Sequence, residues 1–168
     1  VTNIKRSGAL LLLTAVTLVA GCGASKPQPP KSLCGIKTPA SAISPLLPEE
    51  GERVTEKRVK SEAAPNACSV YVDGDYYFKI QHDPTRPGHI LTPGVFTRKQ
   101  PRTFQGQLGI DSRQAEATAD CAGGKPPVFA DITLNVAEDE AYSDERAALE
   151  KFLNAYMPNV QKHYGCKA

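Results

Sequence analysis

From Val128 to Val136 apolar and polar residues alternate without a break, with Val128, Ala130, Ile132, Leu134 and Val136 on one face and Phe129, Asp131, Thr133 and Asn135 on the other. A period of two sends one set into a core and the other into water, so this stretch is constrained to be a half-buried strand. Cys68, Val70 and Val72 repeat the pattern, as do Tyr76, Phe78 and Ile80. Ala115, Ala117, Ala119 and Cys121 do so again between Gln114, Glu116, Thr118 and Asp120. Strict alternation argues strand here although alanine favours helix. Strands with one apolar face belong to an antiparallel sheet that is covered on one side.

Phe104 to Ile110 is a further candidate strand, and Arg53 to Lys60, with only Val54 and Val59 apolar, is an edge strand or a loop. Asp73-Gly74-Asp75 between two alternating runs is a hairpin signal. A two-residue Asp-Gly turn would put the flanking apolar sets on opposite faces, whereas a three-residue turn puts them on one face and is therefore expected. Asp83 to Val95, with three prolines and two glycines, reads as a long loop.

Near the C-terminus the period changes. Leu149, Phe152, Leu153, Tyr156, Met157, Val160 and Tyr164 recur at helical spacing, while Lys151, Asn154 and Lys162 point away. Ser143 is placed to cap this helix, Asp144 and Glu145 favour its first turn, Pro158 should kink it, and Gly165 ends it beside Cys166. A short helix is expected from Pro39, capped by Thr38, with Ile43, Leu46 and Leu47 inward and Pro48 closing it. The fold class implied is α+β: an antiparallel sheet with the C-terminal amphipathic helix on one face and the short N-terminal helix beside it.

Upstream of this domain, Lys5-Arg6 precede an apolar run from Gly8 to Ala20 that is broken only by Thr14 and Thr17. That is the layout of a secretory signal, and the run is shorter than the roughly 20 apolar residues a spanning helix needs. The ending Val19-Ala20-Gly21-Cys22 resembles the lipobox of bacterial lipoproteins. The resemblance implies diacylglyceryl transfer to the Cys22 thiol, cleavage between Gly21 and Cys22, and a mature protein held by membrane lipid on the extracytoplasmic face. Two acyl chains at about 0.8 kcal/mol per buried methylene would give an insertion energy on the order of 20 kcal/mol. Residues 1–21 are then signal peptide, 22–33 a lipidated cysteine and Pro-rich tether, and 34–168 one globular domain. Fully extended, the tether would hold the domain up to roughly 35 Å from the lipid.

Removing the signal also removes Lys5 and Arg6, its only charged residues, so 20 Lys and Arg become 18 against 18 Asp and Glu. A neutral, secreted domain lacks the field that a polyanion partner needs, which argues against nucleic acid. Five cysteines less Cys22 leave Cys34, Cys68, Cys121 and Cys166, an even number in an oxidising compartment. Three pairings are open. Cys34–Cys68 with Cys121–Cys166 is favoured, because each would tie a terminal helix to a nearby strand.

Catalytic signatures are not found: the chain has no GxSxG, SxxK or HExxH. His82, His89 and His163 sit in no metal-binding or catalytic spacing, Asp73 and Asp75 offer calcium too few oxygens, and no CxxC marks a redox or zinc site, so neither metal nor cofactor is implied. Charge is uneven locally, with acidic Glu138, Asp139, Glu140, Asp144 and Glu145 set against basic Arg98, Lys99 and Arg102. Such runs are usually solvated surface. The sharper reading is a partner contact on the loop region from Asp83 to Arg102, centred on Arg98, Lys99 and Arg102.

Cys34-Gly35, Leu46-Leu47-Pro48, the Cys68 to Gly74 strand and the final Cys166 are together similar to small lipoproteins of unknown function from high-GC Gram-positive bacteria. That resemblance implies no activity or site. The function expected is a membrane-anchored, non-catalytic binding or accessory module for a peptide, cell-wall component or envelope protein. The alternative is an envelope hydrolase with dispersed catalytic residues.

Overall fold

The computed structural model describes residues 25–59, 64–84, 97–135 and 143–166. Residues 1–21, on which the signal-peptide expectation falls, Cys22, His89, Glu138, Asp139, Glu140 and the side chains of Ser143 and Asp144 lie outside the described residues.

The domain is α+β, as its periodicities require. Nine strands are described: β1 (Ser32–Leu33), β2 (Ile36–Lys37), β3 (Val54–Arg58), β4 (Ala67–Val72), β5 (Asp75–Pro84), β6 (Thr97–Lys99), β7 (Gly106–Ile110), β8 (Gln114–Ala119) and β9 (Val128–Leu134). The helices are α1 (Ala40–Ile43), which runs on into a 3-10 turn at Ser44–Leu46, and α2 (Ser143–His163). β1 and β2 form a small hairpin, and the other strands form a seven-stranded sheet in the order β3-β4-β5-β9-β8-β7-β6. All its pairings are antiparallel. Two meanders, β3-β4-β5 and β6-β7-β8-β9, therefore meet along the β5–β9 seam, leaving β3 and β6 as the two edges.

One face of the sheet carries the core. Val70, Phe78, Ile80, Ala115, Ala117, Ala130 and Ile132 are buried on it, and Leu149, Phe152, Leu153, Tyr156, Met157 and Val160 of α2 lie over them. α2 makes its densest contacts with β8. This explains the alanines there: Ala115, Ala117 and Ala119 leave room for the large side chains of a helix, so small residues in a strand serve packing rather than helix propensity.

The β4–β5 turn corrects the expected three-residue connection. Val72 pairs with Asp75, so only Asp73 and Gly74 turn the chain, at φ 52° and 103°, both left-handed as a type I′ hairpin requires. The face conflict is resolved instead by a bulge: Val70 pairs with Phe78 but Tyr71 with Tyr76, leaving Tyr77 as the extra residue. Phe78 and Ile80 thereby join Val70 on the buried face. Tyr76 leaves the apolar set and lies 5.7 Å from Tyr71 on the outer face, where the Lys57 ammonium sits 4.4 Å from the Tyr71 ring centre. The Asp73 carboxylate accepts hydrogen bonds from the backbone N–H groups of Glu52 and Arg53, which hold it below its usual range.

Other expectations shift in detail. Thr38 does not cap α1; its hydroxyl donates to the Ile36 carbonyl, and Pro39 stands at the N-cap without a side-chain bond. Ile43, Leu46 and Leu47 are buried as expected. Val54–Arg58 is an edge strand. The stretch expected to be a tether is held against the domain from Ser25 onward: the Ser25 carbonyl accepts from Gly51 N–H, Lys26 pairs with Glu49 at 2.6 Å, and Leu33 is wholly buried. α2 continues through Pro158 to His163, and Gly165 at φ 64° ends it, with the Cys166 N–H returning to the Gln161 carbonyl. The disulfides are Cys34–Cys68 and Cys121–Cys166, with Cα separations of 5.6 and 5.1 Å.

Candidate functional site

Arg98 and Lys99 are not in a loop. They form the edge strand β6, paired with Gly109 and Leu108 of β7, and successive strand residues face opposite ways. Lys99 lies on the α2 side of the sheet and Arg98 on the outer side. Lys99 and Arg102 converge on Glu150 of α2, at 4.0 and 3.7 Å, so two of the three basic residues singled out from the sequence meet at one carboxylate. Both separations exceed hydrogen-bonding distance, which makes these charge contacts rather than fixed pairs.

Between β7 and β6 the chain passes through residues 100–105, and α2 captures that connection through Asn154. The Asn154 carboxamide oxygen accepts from Arg102 N–H at 2.8 Å, its nitrogen donates to the Glu150 carbonyl at 2.9 Å, and the Thr103 hydroxyl donates to the Asn154 carbonyl. Asn154 was expected to point into solvent, yet it is buried, because its amide is the partner for this connection rather than for water. Phe104 adds a buried apolar anchor. Gly106 then lets the chain enter β7: at φ 148°, an added Cβ would lie 1.9 Å from the Thr118 carbonyl oxygen, a position only glycine tolerates.

The latch leaves a groove. A cavity of about 430 Å³ is lined by Arg102, Thr103, Ala147, Glu150, Lys151, Asn154 and Ala155. A second, of about 280 Å³, is lined by Thr97, Lys99, Ile110, Arg146, Ala147 and Glu150, and shares Ala147 and Glu150 with the first. Together they form a trough between α2 and β6, with an alanine floor and a rim of Lys99, Arg102, Arg146 and Lys151 around one glutamate. Arg146 lies 3.8 Å from Asp111. Neither Ala147 nor Glu150 is singled out by the sequence, although with Asn154 their i, i+3, i+7 spacing marks a second stripe beside the apolar face of α2.

The groups whose ionisation is most displaced lie elsewhere. His82, buried near the end of β5, donates from Nε2 to the Cys34 carbonyl at 3.0 Å, and its Nδ1 lies 2.9 Å from the Tyr164 hydroxyl, which also reaches the His82 carbonyl at 3.1 Å. Asn66 donates to that hydroxyl at 3.2 Å. Desolvation lowers the His82 pKa despite its bond to Cys34, with His163 and Arg58 acting in the same direction and Asp83 against. Burial lifts the Tyr164 phenol to about 12. This cluster ties the N-terminal hairpin to the end of α2, which is a structural task.

On the outer face Asp131 pairs directly across from Glu116. Burial raises its pKa to about 6, with Glu116 and Asp83 adding to the rise and Lys79 opposing it. A folded pKa above the unfolded one means that the ionised form weakens the fold at neutral pH, and that this loss is recovered as pH falls through 6 towards 4. His82 acts oppositely, since its contribution is complete above about 6.5 and fades below it as the unfolded chain takes up the proton first. Asp131→Asn is therefore expected to raise stability by roughly 1 to 2 kcal/mol at pH 7, allowing for residual solvent screening. Urea unfolding at pH 7 and 4.5 checks this, with the gain falling to about a third at the lower pH; a gain equal at both would refute the assignment.

Among the described residues no group of three or more His, Cys, Asp or Glu side chains is placed to hold a metal ion. The partner-loop residues of the sequence reading are thus divided between two faces, with Lys99 and Arg102 at the groove and Arg98 behind it. In comparisons with family models, curated proteins and solved structures the chain matches none.

Proposed function

We propose that the protein is a lipid-anchored extracytoplasmic binding module whose site is the groove between α2 and β6. The observation that carries this reading is the trough itself, which lies beside the Asn154 latch and is edged by cationic side chains above an apolar floor. Binding pockets combine an apolar lining with a few placed polar groups in this way. His82, Asp131, Tyr156 and Tyr164, the groups most perturbed by burial, do not line it, which supports recognition over acid–base catalysis. The anchor rests on the lipobox resemblance at Cys22; no helix among the described residues is long and apolar enough to cross a membrane. The partner is a peptide, cell-wall component or envelope protein on the same membrane face.

A photoreactive side chain at Lys151, on the groove rim, is expected to form adducts in intact cells, whereas one at Lys79 on the outer sheet face should not. Cys22→Ala should release the domain from the membrane fraction and abolish the Lys151 adducts. Equal labelling from both positions, or none from Lys151, would remove the groove from consideration.

A further inference from the structure

We infer that the groove, on the reading that it is the binding site, receives an extended acidic peptide segment of a partner protein, which adds as a strand beside β6. β6 is the last strand of the sheet on this side, all three of its residues are exposed, and among the described residues only β7 pairs with it. An edge strand of this kind presents unpaired backbone donors and acceptors to any extended chain that fits alongside. The opposite edge, β3, is engaged differently, since Glu56 accepts the Cys34 N–H at 2.8 Å and so holds the N-terminal hairpin over it.

Charge decides what kind of segment fits. Lys99, Arg102, Arg146 and Lys151 face the trough, where Glu150 is the one lining carboxylate and Asp111 lies 3.8 Å from Arg146, and Arg98 faces the other side of the same edge. A strand rises about 3.3 Å per residue, so alternate side chains of an added peptide fall about 6.6 Å apart on the groove side. A carboxylate on that side comes within reach of the Lys99 and Arg102 side chains, which already converge on one carboxylate. Glu150 stands in for one of them at 3.7–4.0 Å, too far for a hydrogen bond, whereas an incoming carboxylate can close to about 2.8 Å. A phosphate polymer would satisfy the cations but has no N–H and C=O groups to pair with β6, which favours a peptide over a polyanionic wall or lipid headgroup.

The test uses the full chain purified in detergent, with four probes: a fluorescein-labelled (Glu-Thr)5 peptide, its (Lys-Thr)5 counterpart, a (Glu-Thr)5 peptide N-methylated at alternate residues, and inorganic polyphosphate. The acidic peptide should bind and slow amide exchange at Thr97 to Lys99, and the lysine peptide should not bind. Arg102→Glu, at a side chain four-fifths exposed and therefore safe for folding, should weaken binding about tenfold, and Glu150→Gln should strengthen it about threefold. N-methylation should also weaken it about tenfold, because it removes the backbone pairing. Equal affinity for the methylated peptide or for polyphosphate would show attraction by charge alone and overturn the strand-addition proposal. No peptide binding with Lys151 adducts still formed in cells would refute the ligand while leaving the groove as the site; loss of both would refute both.

Discussion

Replacing Cys34 and Cys68 together by alanine is expected to lower the unfolding free energy by about 4 kcal/mol, since that bond closes a loop of 34 residues in the unfolded chain. A loss of this size is a large part of the stability of a small domain. The Cys121–Cys166 bond closes 45 residues and should be worth about the same in the chain-entropy model. The two differ in access. Cys68 is fully buried and Cys34 nearly so, whereas Cys121 and Cys166 are partly exposed. A thiolate must reach a sulfur to attack it, so graded reduction should open Cys121–Cys166 first. Alkylation and peptide mapping during that titration, with urea unfolding of the two double variants, measure both claims. A loss below about 1 kcal/mol for the Cys34 and Cys68 pair, or its earlier reduction, would sink the corresponding one. The buried pair also sits at a special point of the backbone: Cys34 turns the β1–β2 hairpin at φ 51°, with its N–H on Glu56 and its carbonyl on His82. Losing the bond should loosen that hairpin before the sheet.

Where the sequence carried a clean period, structure followed from it. Val128 to Leu134, Cys68 to Val72 and the stripe from Leu149 to Val160 each bury the side chains their spacing selects, because a sheet face and a helix face are both geometric repeats. The failures have local causes. Tyr76 was assigned to the core by strict alternation, but a bulge at Tyr77 shifts the register by one, and bulges leave no composition signal as clear as Asp-Gly leaves for a turn. Asn154 looked like a solvent residue by type, and only a tertiary partner, the Arg102 N–H, makes it a buried latch. Arg98, Lys99 and Arg102 read as one basic loop because adjacency in sequence says nothing of strand parity; once β6 is an edge strand, Arg98 and Lys99 must part. The groove itself was legible only as a rim of charge. Its floor of Ala147 and Ala155 depends on where α2 crosses the sheet, and that is set by long-range packing on the alanines of β8.

Tyr156→Ala is expected to destabilise the domain by about 4 kcal/mol, close to the largest effect a single core truncation produces. Tyr156 is wholly buried, stacks on Phe152 with ring centres 5.1 Å apart, and donates from its hydroxyl to the Leu33 carbonyl at 3.3 Å. Burial pushes its phenol far above the usual range, so it remains a neutral donor wherever the protein is folded. It therefore joins three parts at once: helix α2, the sheet beneath it, and the β1–β2 hairpin through which the N-terminal chain enters the domain. Tyr156→Phe separates these contributions, because it keeps the ring and loses only the bond to Leu33, and it should cost about 1 kcal/mol. Thermal unfolding gives the totals, and amide exchange of the hairpin gives the local term. Alanine should speed exchange in β2 beyond the global change, phenylalanine should do so slightly, and equal effects from both variants would mean that the hydroxyl, not the ring, holds the hairpin. On the proposed anchoring at Cys22, this contact lies on the path between lipid and groove. Pro27 is buried and Leu33 wholly so, so a pull on the N-terminal segment passes the Ser25–Gly51 and Lys26–Glu49 contacts before it is borne by the Leu33–Tyr156 contact and the adjoining Cys34–Cys68 bond.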